Sequence, residues 1–230
     1  MAVPNNSRSS TSLRVRLLAD TERLAAYLRA RLAVDTPAAT SPGVPTSPFQ
    51  HPLPPREAAV LAPLYSRDGR PHLIFTVRSL DLASHRGEIS FPGGSRDPGD
   101  ETIGTTALRE AREELGLDPA RIELLGSLPL VFAGPSNFVV TPFVGWLGEG
   151  LPELTPSPAE VAEVIDAPLA ALADPAIYHT EIWQRFGQPH LLHFYDFGPY
   201  RIWGATGRML RSLLDLLPPD QEEHQRDHTS

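Results

Sequence analysis

The order of elements along the chain predicts an α+β fold built in layers, and three observations carry that reading. Residues 58–65 and 72–77 are apolar, strand-like runs on either side of Arg67-Asp68-Gly69-Arg70, a turn composition. Residues 102–115 read as a charged helix that stops at Gly116. Residues 206–217 set Met209, Leu210, Leu213, Leu214 and Leu217 at helical spacing. Elements of both kinds must bury an apolar face against a neighbouring layer.

Residues 1–11 are polar and serine-rich, a composition that stays disordered. Leu13, Leu17, Leu24, Leu28 and Leu32 predict one amphipathic helix over 12–32. Residues 35–56 are rich in proline without apolar periodicity and read as an extended arm. The main domain is therefore expected over 56–217, with 1–55 before it and a polar tail, 218–230, after it. Inside the domain, 89–91 is a short strand leading into Pro92-Gly93-Gly94. Segments 122–130, 138–147, 160–165 and 191–195 are further strands, and 168–172 is a short helix.

A chain of 230 residues is long enough for one well-buried domain. Its formal net charge of −8 argues against a nucleic-acid backbone as partner. A small phosphorylated substrate is not excluded, because a metal can neutralise its charge. All 20 cationic residues are arginine, a side chain suited to bidentate phosphate contacts. The absence of cysteine excludes disulfides, thiolate catalysis and cysteine-ligated zinc. No apolar run resembles a signal-peptide core or a membrane span, so the expectation is a cytoplasmic enzyme with no membrane partner. Nothing in the sequence excludes a homodimer.

The chemistry is concentrated in the helix at 102–115. Glu110, Glu113 and Glu114 stand at i, i+3 and i+4, which are neighbouring positions on a helix surface. Like charges so grouped repel and raise one another's pKa, whereas a hard divalent cation seeks such oxygens. The glycine-rich loop before the helix completes what reads as a magnesium site, with manganese as the alternative ion. A solvated helix with alternating charges is the bland alternative, and the loop argues against it.

This segment resembles the signature of the Nudix hydrolases. Arg109, Glu110, Ala111, Glu113, Glu114, Gly116 and Leu117 match that signature in register. Six residues separate Gly94 from Glu101 where the common pattern has five. A helix cannot absorb an extra residue without turning its face by about 100°, whereas a loop absorbs one cheaply. Two repairs are open, Asp100 in place of the glutamate or a loop enlarged by one residue; helix phase favours the second, with Glu101 as the signature's first glutamate and 97–100 as the loop. The resemblance implies an α/β/α sandwich around a mixed sheet. It makes Glu110, Glu113 and Glu114 metal ligands, joined by the Gly93 carbonyl. It also implies a catalytic set of Glu113, Glu114, Arg109 and a general base. Arg109 would hold carboxylates in place through Glu113 and Glu101. For the base, Glu160 is preferred to Glu163, in a segment resembling a Glu-Val strand of many relatives.

A second resemblance lies upstream. Thr76, Arg78-Ser79, Gly87 and Phe91-Pro92-Gly93-Gly94 are similar to a pattern of the coenzyme A pyrophosphatase branch of that family. The pattern's other arginine falls on Ala83, and Arg86 is the candidate replacement. Segments 137–145 and 201–210 also resemble that branch, and Trp203 is read as core. The implied substrate-binding residues are Arg78, Arg86, His85 and Gly94, with the two arginines gripping the 3′-phosphate of coenzyme A. The implied reaction is metal-dependent cleavage of coenzyme A into 4′-phosphopantetheine and adenosine 3′,5′-bisphosphate. ADP-ribose or another nucleoside diphosphate derivative is the alternative substrate. A binding module without catalysis is the alternative from another class, and such modules typically lose the carboxylates retained here.

Overall fold

In β1 (Arg56–Arg67) and β2 (Arg70–Arg78) the chain doubles back through Asp68 and Gly69, at φ 53° and 76°. Both residues are left-handed, as a two-residue hairpin of strongly twisted strands requires. The computed structural model describes residues 12–32, 54–81, 85–133, 137–185 and 188–219. The polar start, most of the proline-rich arm, Ala83 and the tail from 220 onward lie outside the described residues.

The hairpin is the middle of a mixed sheet. On its far edge β1 pairs in parallel with β7 (Phe138–Glu149), from Arg56 opposite Phe138 to Leu64 opposite Trp146. On its far edge β2 takes β8 (Val161–Pro168) antiparallel. Beyond the turn, β1 and β2 splay apart, and the gap is filled by β3 (Ile89–Ser90) on β2 and β4 (Gly93–Ser95) on β1. β5 (Glu123–Ser127) and β6 (Val131–Ala133) add to β7. The glycine loop is thus part of the sheet, which fixes its position.

Alternation along β1 sends side chains to two cores. Ala59, Leu61 and Tyr65 meet Ile103, Ala107, Ala111 and Leu115 of α3 (Ile103–Leu115). Ala58, Ala62 and Leu64 meet Leu24 and Leu28 of α2 (Thr21–Arg29) and Met209, Leu210 and Leu213 of α5 (Gly204–Leu214). Each fully buried leucine or isoleucine contributes about 1.5–3 kcal/mol. The result is the expected α/β/α sandwich. A second sheet of β9 (Tyr178–Arg185), β10 (Gln188–Phe197) and β11 (Tyr200–Ile202) packs on α5, after α4 (Leu169–Leu172). None of β6, β9 and β11 was expected from the sequence.

One expectation is corrected at the N-terminus. The leucines from 13 to 28 belong to two helices, α1 (Leu13–Leu18) and α2, with Leu32 in the turn beyond, because the Asp20 side chain accepts the Arg23 N–H at 3.0 Å and caps the second. The leucine pattern survives the break because it lacks a member between Leu17 and Leu24. Among the described residues no helix is long and apolar enough to cross a membrane.

Candidate active site

α3 begins where the Thr102 hydroxyl accepts the Thr105 N–H at 3.1 Å, a cap worth about 1 kcal/mol. It ends at Gly116, whose φ of 72° is left-handed and where an added Cβ would meet Thr155 Oγ1 at 1.9 Å. These two stops fix the phase of the helix and so the placement of its carboxylates.

Glu114 is buried beside the Gly93 backbone N–H, which favours its charged form, and has Glu110 and Glu160 as electrostatic neighbours. Burial pushes its carboxyl up to about 8; Arg78 opposes that rise, while Glu110 and Glu160 add to it. Glu110 is raised by burial too, against the Arg109 guanidinium, which donates to it at 2.9 Å. Glu113 departs from the expected trio. It is exposed and accepts from Arg109 at 2.9 Å. The reason is angular, since positions 113 and 114 lie about 100° apart on a helix. Glu114 faces the glycine loop, whereas Glu113 stands on the other flank of Glu110.

Arg109 is the organiser of the site: the expected contact with Glu113 is made, and Asp100 stands where Glu101 was expected. Its Nε donates to Asp100 Oδ1 and its Nη2 to Asp100 Oδ2, each at 3.1 Å, and Nη2 also reaches the Ser95 carbonyl at 2.9 Å. Asp100 is buried and accepts further from Thr106 Oγ1 at 2.8 Å and the Asp97 N–H at 2.9 Å. These donors, Arg109 first, hold its carboxyl down to about 2. Glu101 is exposed, and the carboxylate that Arg109 grips on this side is that of Asp100. Loop geometry, which sequence spacing does not encode, decides this.

The two glycines of the loop are explained by contacts within the protein. At Gly93 a Cβ would lie 2.3 Å from the Ala59 carbonyl oxygen, and at Gly94 2.6 Å from Glu110 Oε1. Glycine at 94 is thus what lets the Glu110 carboxylate lie against the loop.

Glu160 joins the cluster and Glu163 does not. The Glu160 carbonyl accepts the Ser79 N–H at 2.8 Å, and the Ser157 N–H donates to the Glu114 carbonyl at 2.9 Å. Segment 157–160 is thereby clamped between the end of α3 and the end of β2. Glu163 is exposed on β8 and receives the Tyr200 hydroxyl.

A cavity of about 1140 Å³ opens beside these carboxylates, with Gly93, Gly94, Arg78 and His85 on its wall. The Arg78 Nε is buried and has no hydrogen-bond partner among the described residues. His85, at φ 57°, bonds to Glu88 at 3.0 Å. Arg86 is exposed and stands outside the cavity wall, because the tight turn through His85 and Gly87 brings His85 to the wall instead.

Among the described residues no three acidic or histidine side chains close into a ready metal cage. Magnesium does not require one, since it commonly takes one or two carboxylates together with waters and substrate phosphates. Glu110 and Glu114 supply such a pair, and the cost of ionising Glu114 in its buried place is what a bound cation would offset. The donor set fits a hard divalent ion.

Comparison with known proteins agrees with this geometry. The model of the NUDIX domain matches residues 55–184. The uncharacterized Nudix hydrolase NudL of Photorhabdus laumondii is 41% identical over 175 residues, spanning 72% of this chain and 91% of its own length. Nudix hydrolase 3 of Caenorhabditis elegans is 37% identical over 185 residues, 72% of this chain and 75% of that one. Peroxisomal coenzyme A diphosphatase NUDT7 of Mus musculus is 38% identical over 158 residues, 66% of each chain. With the family's domain matched over more than half its length, this chain belongs to the Nudix hydrolases.

Proposed function

We propose that this Nudix pyrophosphatase hydrolyses the pyrophosphate bond of coenzyme A in the cytoplasm, releasing 4′-phosphopantetheine and adenosine 3′,5′-bisphosphate. The observation that carries the reading is Arg78, a cation on the cavity wall beside Glu114 with its Nε unpartnered among the described residues. The likeness to a coenzyme A diphosphatase supports the choice of substrate.

Glu110 and Glu114 would hold a magnesium or manganese ion, with the Gly93 carbonyl as a further ligand. Once bound, the ion stabilises charge on the phosphoryl oxygens and acidifies a water. Arg109 keeps Glu110 aimed at the loop and holds Glu113 as an outer charge. Glu160 takes the proton of the attacking water. As the new P–O bond forms, the bond from that phosphorus to the bridging oxygen breaks, and the bridging oxygen leaves with the other phosphate. Arg78 faces phosphate oxygens at the carboxylate end, and His85 and Gly94 border the same opening.

Incubation with magnesium and coenzyme A, in parallel with ADP-ribose, followed by mass spectrometry of the products, tests the substrate. The two named products are expected; cleavage of ADP-ribose alone would overturn the choice of coenzyme A. For the base, Glu160→Gln should lower kcat by about 10²–10⁴, whereas Glu163→Gln should stay within a few-fold of wild type. Equal losses in the two variants would remove Glu160 from that role.

A further inference from the structure

The cavity has two chemically different ends. One is walled by Arg78, Gly93 and Gly94, with Glu110 lying against Gly94 and Glu114 and Glu160 as charges behind that wall. The other is walled by β10 and the start of α5, which contribute His190, His193 and Arg208. Most cations at that second end are already occupied. Arg211 pairs with Asp215 and lies over the Tyr178 ring, its Cζ 5.1 Å from the centroid. His193 is engaged at Nδ1 by the Tyr178 hydroxyl at 2.8 Å. Burial, then Arg211 and Arg208, lower the pKa of His193. Arg56, elsewhere on the wall, is stacked over Phe138, its Cζ 4.2 Å from the centroid.

Arg208 differs from these. It borders the cavity and has no carboxylate partner among the described residues. A chain with 28 acidic residues against 20 arginines offers many partners for a merely surface arginine. Its side chain is exposed, while the backbone that carries it is firmly packed. At Gly207 a Cβ would lie 2.5 Å from the His193 carbonyl oxygen, so α5 is pressed directly onto β10. Thr206 Oγ1 donates to the Ile89 carbonyl at 2.9 Å and ties α5 to β3, one short step from the glycine loop. The position of Arg208 relative to the carboxylates is thus set by packed backbone, the preorganisation that makes a charged contact selective.

We infer that Arg208, with His190 on the same wall, forms a phosphomonoester subsite that receives the 3′-phosphate of the substrate, while Arg78 serves the pyrophosphate. This assignment rests on the coenzyme A reading and divides between two arginines a task that sequence placed on Arg78 and Arg86. A substrate with both anions spans the cavity; one lacking the monoester is held at the carboxylate end alone. A guanidinium is suited to this task because its planar fork meets phosphate oxygens in pairs.

The test compares kcat/KM for coenzyme A and dephospho-coenzyme A in wild type, Arg208→Ala, Arg78→Ala and Arg86→Ala. It is joined by calorimetric titration of the metal-free proteins with adenosine 3′,5′-bisphosphate and with AMP. Arg208→Ala should cut the preference for the 3′-phosphorylated compound by about ten- to a hundredfold in both experiments. Arg78→Ala should depress turnover of both substrates together, and Arg86→Ala should leave the preference as it is. Wild-type cleavage of coenzyme A with an unaltered preference in folded Arg208→Ala would overturn the subsite and leave the substrate reading standing. If wild type fails to cleave coenzyme A yet binds the bisphosphate over AMP through Arg208, the subsite stands and the substrate reading falls. No preference in wild type in either experiment overturns the subsite.

Discussion

Replacement of Glu114 by glutamine should lower hydrolysis by at least about a thousandfold, the scale of losing several kcal/mol of metal-centred charge stabilisation, with the fold retained. Glutamine has the shape of glutamate, and the loop still meets the helix through Gly94 and Glu110. What is lost is the anionic oxygen that would hold the cation. The same variant carries a stability signature that separates metal binding from mere packing. Glu114 titrates near 8 in the fold against an ordinary 4.5. As pH rises through that window, the unfolded chain releases a proton that the folded one retains, so metal-free wild type should lose stability from about pH 5 to 8. The glutamine variant should show a flatter profile of melting temperature against pH. Magnesium should restore the wild type at the alkaline end and leave the variant unmoved. Wild-type activity in the variant, or an equal thermal response of both proteins to magnesium, would dismiss Glu114 as a ligand.

Asp100→Ala is expected to be the most destabilising change at the site. It removes the acceptor of two Arg109 bonds, of the Thr106 hydroxyl and of the Asp97 N–H, all in a buried place. Breaking a buried ion pair from one side costs about 3–5 kcal/mol. Arg109 keeps Glu110, Glu113 and the Ser95 carbonyl, which sets the expectation at the low end, about 3 kcal/mol. For a chain of this size the melting temperature should fall by roughly 6–12 °C. The pH dependence runs opposite to that of Glu114. The Asp100 carboxyl is depressed from 3.8 to about 2, so its contribution is complete above the ordinary value and is lost as pH falls toward 2. Thermal denaturation of Asp100→Ala beside Glu101→Ala checks the assignment. A larger loss in the Glu101 variant would return the role to Glu101.

That reversal shows where sequence stops being informative. The hairpin turn, the two ends of α3 and the pairing of strands with helices are legible because each rests on a local preference: left-handed Asp68-Gly69, the Thr102 cap and Gly116. Asp100 was read as loop because its burial depends on how the turn from Asp97 folds beneath Arg109, a tertiary matter. Glu113 was grouped with Glu114 because spacing gives neighbours without saying which flank faces the loop. The strand β9 escaped detection because His179, Glu181 and Gln184 dilute its apolar residues and its Ile182 is exposed. Arg208 lies in segment 201–210, whose resemblance did not mark it as a contact; the packing of α5 on β10 brings it to the cavity.

The parallel pairing of β1 with β7 has a consequence for how the protein comes into being on the ribosome. The Asn137 side chain donates to the Pro54 carbonyl across 83 positions of sequence, at the very start of that pairing. Closing so long a loop is slow relative to hairpin formation. A nascent chain that has emerged only through α3 therefore carries the glycine loop and every glutamate of the signature while the far edge of β1 stands open. Such an intermediate is catalytically silent and prone to edge-to-edge association. Yield during synthesis should thus depend on how soon β7 arrives, and strand 138–149 sets the tempo of maturation for a site to which it contributes no glutamate.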